Sequence, residues 1–163
     1  CLAFLFKAMV FELSFLFFVV MHLISKSAIV QYSPKKMYEL VNAIEDYPQF
    51  LNWCVNTTIL NQSSNEVTAS VEINMSGLNH SFTTLNRLKP YHSIEMDLLD
   101  GPFNRLSGEW RFLPLGENAT KIHLDLEFVF KSRIMDLALA PVFSKITSSQ
   151  LDAFIARAKE IYG

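Results

Sequence analysis

From Val55 to Phe130 apolar residues recur mainly at every second position, whereas from Arg133 to Tyr162 they recur at every third and fourth. This single change of period constrains the fold most, because a run of half-wet strands followed by one long amphipathic helix must bury the two apolar faces against each other. Six alternating runs precede the change: Val55–Leu60, Val67–Met75, His80–Leu88, Ser93–Leu99, Leu106–Phe112 and Thr120–Phe130. Turn-forming clusters separate them at Asn61–Asn65, Ser76-Gly77, Lys89-Pro90-Tyr91, Asp100-Gly101-Pro102 and Pro114–Asn118. In the last run Ile122, Leu124, Leu126, Phe128 and Phe130 face one way; His123, Asp125 and Glu127 face the other, with Val129 the apolar exception among them. On the helix, Leu139, Val142, Phe143, Ile146, Leu151, Phe154, Ala158 and Ile161 form the stripe that needs a cover.

Ahead of the alternating runs, Ser27–Tyr32 reads as a first strand. Ser33-Pro34 then reads as an N-cap with proline at the first helical position, opening a helix to Ala43. A second short helix is expected at Tyr47–Leu51, with Asp46 as its cap and Pro48 in its first turn. The order predicts an α+β domain in which an antiparallel sheet curves around the C-terminal helix and leaves space between them. Pro141, inside the helical run, is expected to bend or divide the helix near Leu137–Leu139.

Residues 1–24 are strongly apolar and unlike the rest, so the chain divides into this extension and a domain over 25–163. The uncharged run from Leu13 to Ser25 is shorter than the ~18 residues of a secure membrane span, and Lys7 and Glu12 add insertion cost. A translation extended upstream of a start at Met21 is the favoured reading; a membrane-facing helix and a helix packed on the domain are the alternatives. A net charge of -2 gives no general reason to expect nucleic acid, and no DNA partner is expected. Cys1 and Cys54 make neither a disulfide framework nor a metal motif, which favours a reducing, cytoplasmic setting.

No Gly-rich phosphate cradle, zinc cluster or nucleophile elbow is present, no charged group is expected to point inward, and a non-enzymatic role is expected. His123 and the Glu95/Asp97 pair lie on outward faces and read as solvated. Asn86, in phase with Phe82 and Thr84, and Tyr47, Trp53, Tyr91 and Trp110, each with apolar bulk and one polar group, are candidates for a pocket; ordinary packing is their alternative. Arg105 reads as either a rim or a surface residue.

Met37-Tyr38-Glu39-Leu40-Val41-Asn42, Tyr47-Pro48-Gln49-Phe50-Leu51, Phe82-Thr83-Thr84, Leu99-Asp100-Gly101-Pro102-Phe103, Gly108-Glu109-Trp110-Arg111-Phe112 and Ala156-Arg157-Ala158-Lys159-Glu160-Ile161-Tyr162 together resemble the coenzyme-Q-binding START-like family, also called polyketide cyclase/dehydrase-related. Within it they most resemble the bacterial branch named ribosome-association toxin. The likeness runs from Ser25 to the end. It implies a helix-grip fold with a hydrophobic tunnel between sheet and helix, and binding of ubiquinone or a related polyprenyl lipid in support of respiratory electron transport, with no covalently bound cofactor and no catalytic residue. An inner-membrane surface is a further implied partner. For the bacterial branch it also implies binding to the large ribosomal subunit, a block of subunit association and inhibition of translation initiation.

The motif positions and the inward-facing residues together make Tyr47, Phe50, Trp53, Phe82, Asn86, Phe103, Trp110, Leu126, Phe128, Leu139 and Phe143 the expected ligand contacts, with Tyr47, Pro48 and Phe50 at the mouth and Asp100–Phe103 shaping a turn near it. Lys26, Lys35 and Lys36 form a modest basic cluster, and Lys131, Arg133, Lys145, Arg157 and Lys159 are dispersed among acids. That charge pattern favours the lipid over the ribosome.

Overall fold

The computed structural model describes residues 20–163; the membrane-helix and packed-helix readings of the N-terminal extension fall largely outside them. The strand β1 (His22–Val30) is followed by the helix α1 (Pro34–Asn42), a single turn of tighter helix at Ile44–Asp46, and the short helix α2 (Tyr47–Phe50). Six strands follow: β2 (Cys54–Gln62), β3 (Glu66–Met75), β4 (Leu78–Lys89), β5 (Ser93–Asp100), β6 (Phe103–Gly116) and β7 (Ala119–Phe130). The helix α3 (Arg133–Tyr162) closes the chain.

The seven strands of the described residues form one antiparallel sheet in the order β1-β7-β6-β5-β4-β3-β2, so β1 pairs with β7. Register shifts between Thr83 and Thr84, between Phe103 and Arg105, and between Pro114 and Gly116 interrupt the ladders, and such bulges sharpen the local bend and twist of a sheet. The last of them accommodates Pro114 within β6, which therefore runs four residues past its expected end and shortens the expected hairpin loop. Ser76 and Gly77, with φ of 54° and 79°, make the tight β3–β4 turn that two residues at positive φ favour.

Alternation sorts the faces as expected. Val67, Ala69, Val71, Ile73 and Met75 of β3 are all buried, as are Ile122, Leu124 and Phe128 of β7. Val129 sits apart from the inner cluster, yet it is buried as well. β1 begins at His22 rather than Ser27, so His22, Leu23 and Ile24 pair with Phe128, Glu127 and Leu126. The apolar run had concealed that start, because no change of pattern marks it.

Caps set the helix ends. Ser33 Oγ accepts from Lys36 N–H at 3.3 Å with Pro34 at the first position, and Ser132 Oγ accepts from Met135 N–H at 3.2 Å. Asp46 does not cap α2 as expected; its carboxylate instead accepts from Gln49 Nε2 at 3.0 Å. α3 continues through Pro141 without being divided. Its buried stripe comprises Asp136, Leu139, Ala140, Phe143, Ile146, Thr147, Leu151, Phe154 and Ala158. Ile161 is exposed, because the last turn is held by Tyr162, whose ring lies 5.7 Å from Tyr32 and whose hydroxyl donates to the Lys36 carbonyl at 3.1 Å.

Two aromatic clusters pin α3 to the rest of the domain. Phe143 lies 4.7 Å from Phe128 and 5.0 Å from Phe103, centroid to centroid. Eleven residues later Phe154 lies 5.1 Å from Trp110, 5.2 Å from Phe50 and 5.3 Å from Tyr47. Each fully buried ring contributes about 1.5–3 kcal/mol from burial alone. The helix segment between these anchors spans the candidate site.

Candidate functional site

Between the two anchors, Ile146, Thr147 and Gln150 of α3 roof a cavity of about 80 Å³. Its floor comes from inward positions of five strands: Ala69 and Val71 (β3), Phe82, Thr84 and Asn86 (β4), Met96 (β5), Leu106 and Trp110 (β6) and Leu126 (β7). Ile44 of the tighter helical turn, Tyr47 of α2, Trp53 just ahead of β2, and Phe143 complete it. Gly108 faces inward between Leu106 and Trp110, and the missing side chain leaves the space that Leu126 Cδ1 and Met96 Cε occupy, within 2.8 and 2.9 Å of where a Cβ would stand.

The cavity is mostly apolar with a few oriented polar groups, the composition of small-molecule sites. Thr84 Oγ1 donates to Asn86 Oδ1 at 2.8 Å, which fixes the carboxamide with its acceptor engaged. Among the described residues the Asn86 amide N–H₂ and the Gln150 side chain have no hydrogen-bond partner. Both remain for an occupant. Thr147 Oγ1 is committed to the Phe143 carbonyl at 2.9 Å. The Tyr47 hydroxyl donates to the Val41 carbonyl at 2.5 Å, and burial, with a smaller contribution from nearby Cys54, raises its pKa above the ordinary phenol value. Tyr47 therefore supplies shape, and its hydroxyl is tied down. The described lining contains no Asp, Glu, His, Lys or Arg.

Seven of the expected contacts meet here: Tyr47, Trp53, Phe82, Asn86, Trp110, Leu126 and Phe143. Phe50, Phe103, Phe128 and Leu139 do not line the cavity; Phe103, Phe128 and Leu139 are buried in the core, and Phe50 packs on Tyr47 and Phe154. Their bulk is the physical reason that the expected tunnel is a short cavity, well below the ~300–1,000 Å³ of a drug-sized site. Thr84 and Thr147, in phase with Asn86 and Phe143, were legible by the same alternation and helical spacing that found their neighbours.

Other expectations move. Tyr91 is not in the cavity; with φ of 65° it turns the β4–β5 corner and stands 5.6 Å from Tyr38. Arg105 lies at the surface, with its Nε 2.6 Å from Glu127 Oε1. Lys35 and Lys36 cover Tyr91 and Tyr162 at 5.8 and 5.0 Å, while Lys26 lies apart from them in a groove with Lys145. One charged group does point inward, against expectation. Asp136 is 7% exposed, its two oxygens 2.6 Å from His22 Nε2 and 2.8 Å from Arg133. It falls in helical phase with Leu139, Ala140 and Phe143, the signal that sequence reading passed over.

Comparison with known proteins agrees with the geometry. The family model described as polyketide cyclase / dehydrase and lipid transport matches residues 30–155. A Vibrio cholerae protein named ribosome association toxin RatA is 44% identical over 140 residues, covering 86% of this chain and 97% of its own. A mitochondrial coenzyme Q-binding protein COQ10 of Dictyostelium discoideum is 28% identical over 139 residues, covering 82% of this chain and 67% of its own. Among solved structures, the ZhuI aromatase/cyclase of a Streptomyces species superposes with a TM-score of 0.78 at 18% identity, covering 88% of this chain and 97% of that one.

Proposed function

The chain belongs to the polyketide cyclase/dehydrase and lipid transport family, with its START-like fold, and from that premise we propose that it binds ubiquinone or a related prenyl lipid by its head group in the cavity beneath α3. The observation that carries this reading is Asn86: its Oδ1 is occupied by Thr84, so its free N–H₂ is presented to a mostly apolar space that Trp110 also lines. A quinone carbonyl is the acceptor such a donor suits, and a flat apolar ring suits the surrounding indoles and aliphatic side chains. The relative named for coenzyme Q binding supports the same chemistry.

At about 80 Å³ the cavity admits part of a ring and no isoprenoid tail. Binding therefore involves movement of the roof. Pro141 removes one backbone hydrogen bond from α3 just ahead of Phe143 and Ile146, making that stretch the segment that lifts. The role is binding and delivery at the inner membrane from the cytoplasmic side, without turnover; the lining offers orientation and apolar burial, and its one phenol is committed to a backbone carbonyl.

A second reading, association with the large ribosomal subunit, is favoured by one observation: the relative carrying the ribosome-association name is the more similar, at 44% identity against 28%. One experiment separates them. The protein is purified from a quinone-producing host, extracted with organic solvent and examined by mass spectrometry, while a parallel lysate is run on a sucrose gradient. Stoichiometric prenylquinone supports the first reading. A protein free of prenyl lipid that migrates with large subunits supports the second.

A further inference from the structure

We propose that the outer face of the first two turns of α3 docks on an anionic lipid bilayer. Ile134 is 79% exposed and Leu137 62% exposed, and Ala138 and Pro141 are exposed with them. These four stand at i, i+3, i+4 and i+7, one continuous face of a helix. Leu139, Ala140 and Phe143, with the paired Asp136, fill the opposite face and are buried, so this half of α3 carries apolar residues on two sides, and among the described residues only one of them is covered. A single exposed leucine is unremarkable in a folded protein, but an aligned ridge at one end of the domain is a surface built to leave water.

The charges beside the ridge select its occupant. Lys131 precedes it, Lys145 follows it, both exposed, and Lys26 of β1 lines a groove with Lys145 along its flank. Over residues 131–150 the only acid is Asp136, which is buried and paired with Arg133 and His22. Asp100 closes β5 just ahead of the turn whose Pro102 carbonyl accepts from Lys131 N–H, and Glu127, opposite Leu23 of β1, is paired with Arg105. The local surface is thus basic in a chain whose net charge is -2. Lysines around an apolar ridge match lipid phosphates around acyl chains, with the ridge entering the interface and the lysines staying at headgroup level. A nucleic-acid backbone would meet the lysines but would leave Ile134 and Leu137 without partners.

The inference deepens the quinone reading and rests on it for its purpose: the docked turns are continuous with Phe143 and Ile146, so the movable roof would lie against the membrane that holds the lipid. The docking face itself contains no residue of the cavity, so each can fail alone.

The test is flotation of the full chain with vesicles of phosphatidylethanolamine and phosphatidylglycerol that contain no quinone, alongside vesicles of phosphatidylcholine. The protein is expected to float with the anionic vesicles and to be released by salt. Ile134→Glu combined with Leu137→Glu should lower partitioning at least about tenfold, and Lys131→Gln combined with Lys145→Gln should lower it by roughly fivefold per lysine. Circular dichroism of the variants checks the fold, and quinone uptake from detergent micelles, unchanged in the glutamate variant, checks the cavity separately. Failure to bind anionic vesicles, or equal flotation of the glutamate variant, overturns the proposal. So does salt-sensitive binding to purified large ribosomal subunits in the absence of vesicle binding, which would assign the face to RNA.

Discussion

The imidazole Nε2 of His22 lies 2.6 Å from Oδ1 of Asp136, joining the first strand to the first turn of the last helix across 114 positions of sequence. The imidazole ring stacks on Phe128 at 4.8 Å, and Arg133 holds the other carboxylate oxygen at 2.8 Å. A carboxylate in the first turn also meets the positive end of the helix dipole. Replacing Asp136 by Ala takes the shared acceptor from two part-buried donors, and is expected to cost about 1.5–3 kcal/mol in a urea unfolding experiment. An unchanged midpoint would show that the cluster contributes nothing net.

Gly101 has φ of 147°, and a Cβ there would stand 2.7 Å from Phe82 Cβ. The Asp-Gly-Pro-Phe turn thus holds a cavity wall by close backbone approach. Gly101→Ala combines strain at a glycine-only backbone position with that clash, and should destabilise by about 1–3 kcal/mol. Thermal unfolding within a degree of the native value would contradict this.

The Asn86 amide is expected to orient the quinone ring. Asn86→Leu should weaken binding of a short-chain ubiquinone about tenfold, the worth of one hydrogen bond, and should leave binding of an isoprenoid alcohol of the same length unchanged. Equal loss for both ligands would reduce the side chain's part to shape.

Burial pushes the Cys54 thiol up to about 11, and Tyr47 shifts in the same direction. Both groups are neutral when protonated, so the native protein keeps protons that the unfolded chain releases. The stability this confers is present below the ordinary thiol value and is lost as pH rises through that value towards about 11. A thiol reagent at about pH 8 should therefore find no difference between the native protein and Cys54→Ser, and a difference of one equivalent after unfolding. Reaction of native Cys54 would place it outside the core.

Much of this architecture was legible because it is local. Alternation marked the six strands β2 to β7, the bounds of α3 coincided with the period change, and Ser33-Pro34 marked α1, whereas β1 begins five residues ahead of its expected start. What stayed hidden depends on distance along the sheet rather than on face. Phe103, Phe128 and Phe82 share the inner face and all three meet Phe143, yet only Phe82 reaches the cavity; Phe103 and Phe128 also pack on each other and on Phe130, where the space is filled. Alternation identifies the side on which a residue lies and is silent on what stands opposite. His22 was obscured for another reason: it sits at the edge of an apolar run, and its partner is supplied by the opposite end of the chain.

The chain has two tryptophans, Trp53 and Trp110, and both line the cavity, so a quinone there must quench the intrinsic fluorescence. Titration with a short-chain ubiquinone is the most direct measurement, run on the native protein and on Ala69→Leu, whose larger side chain intrudes on the cavity at an overpacking cost of about 1–3 kcal/mol. Saturable quenching in the native protein, lost in a folded Ala69→Leu, is the expected result. Quenching no greater than that of free tryptophan, or saturation that survives the narrowed cavity, would contradict the assignment of this site to a quinone.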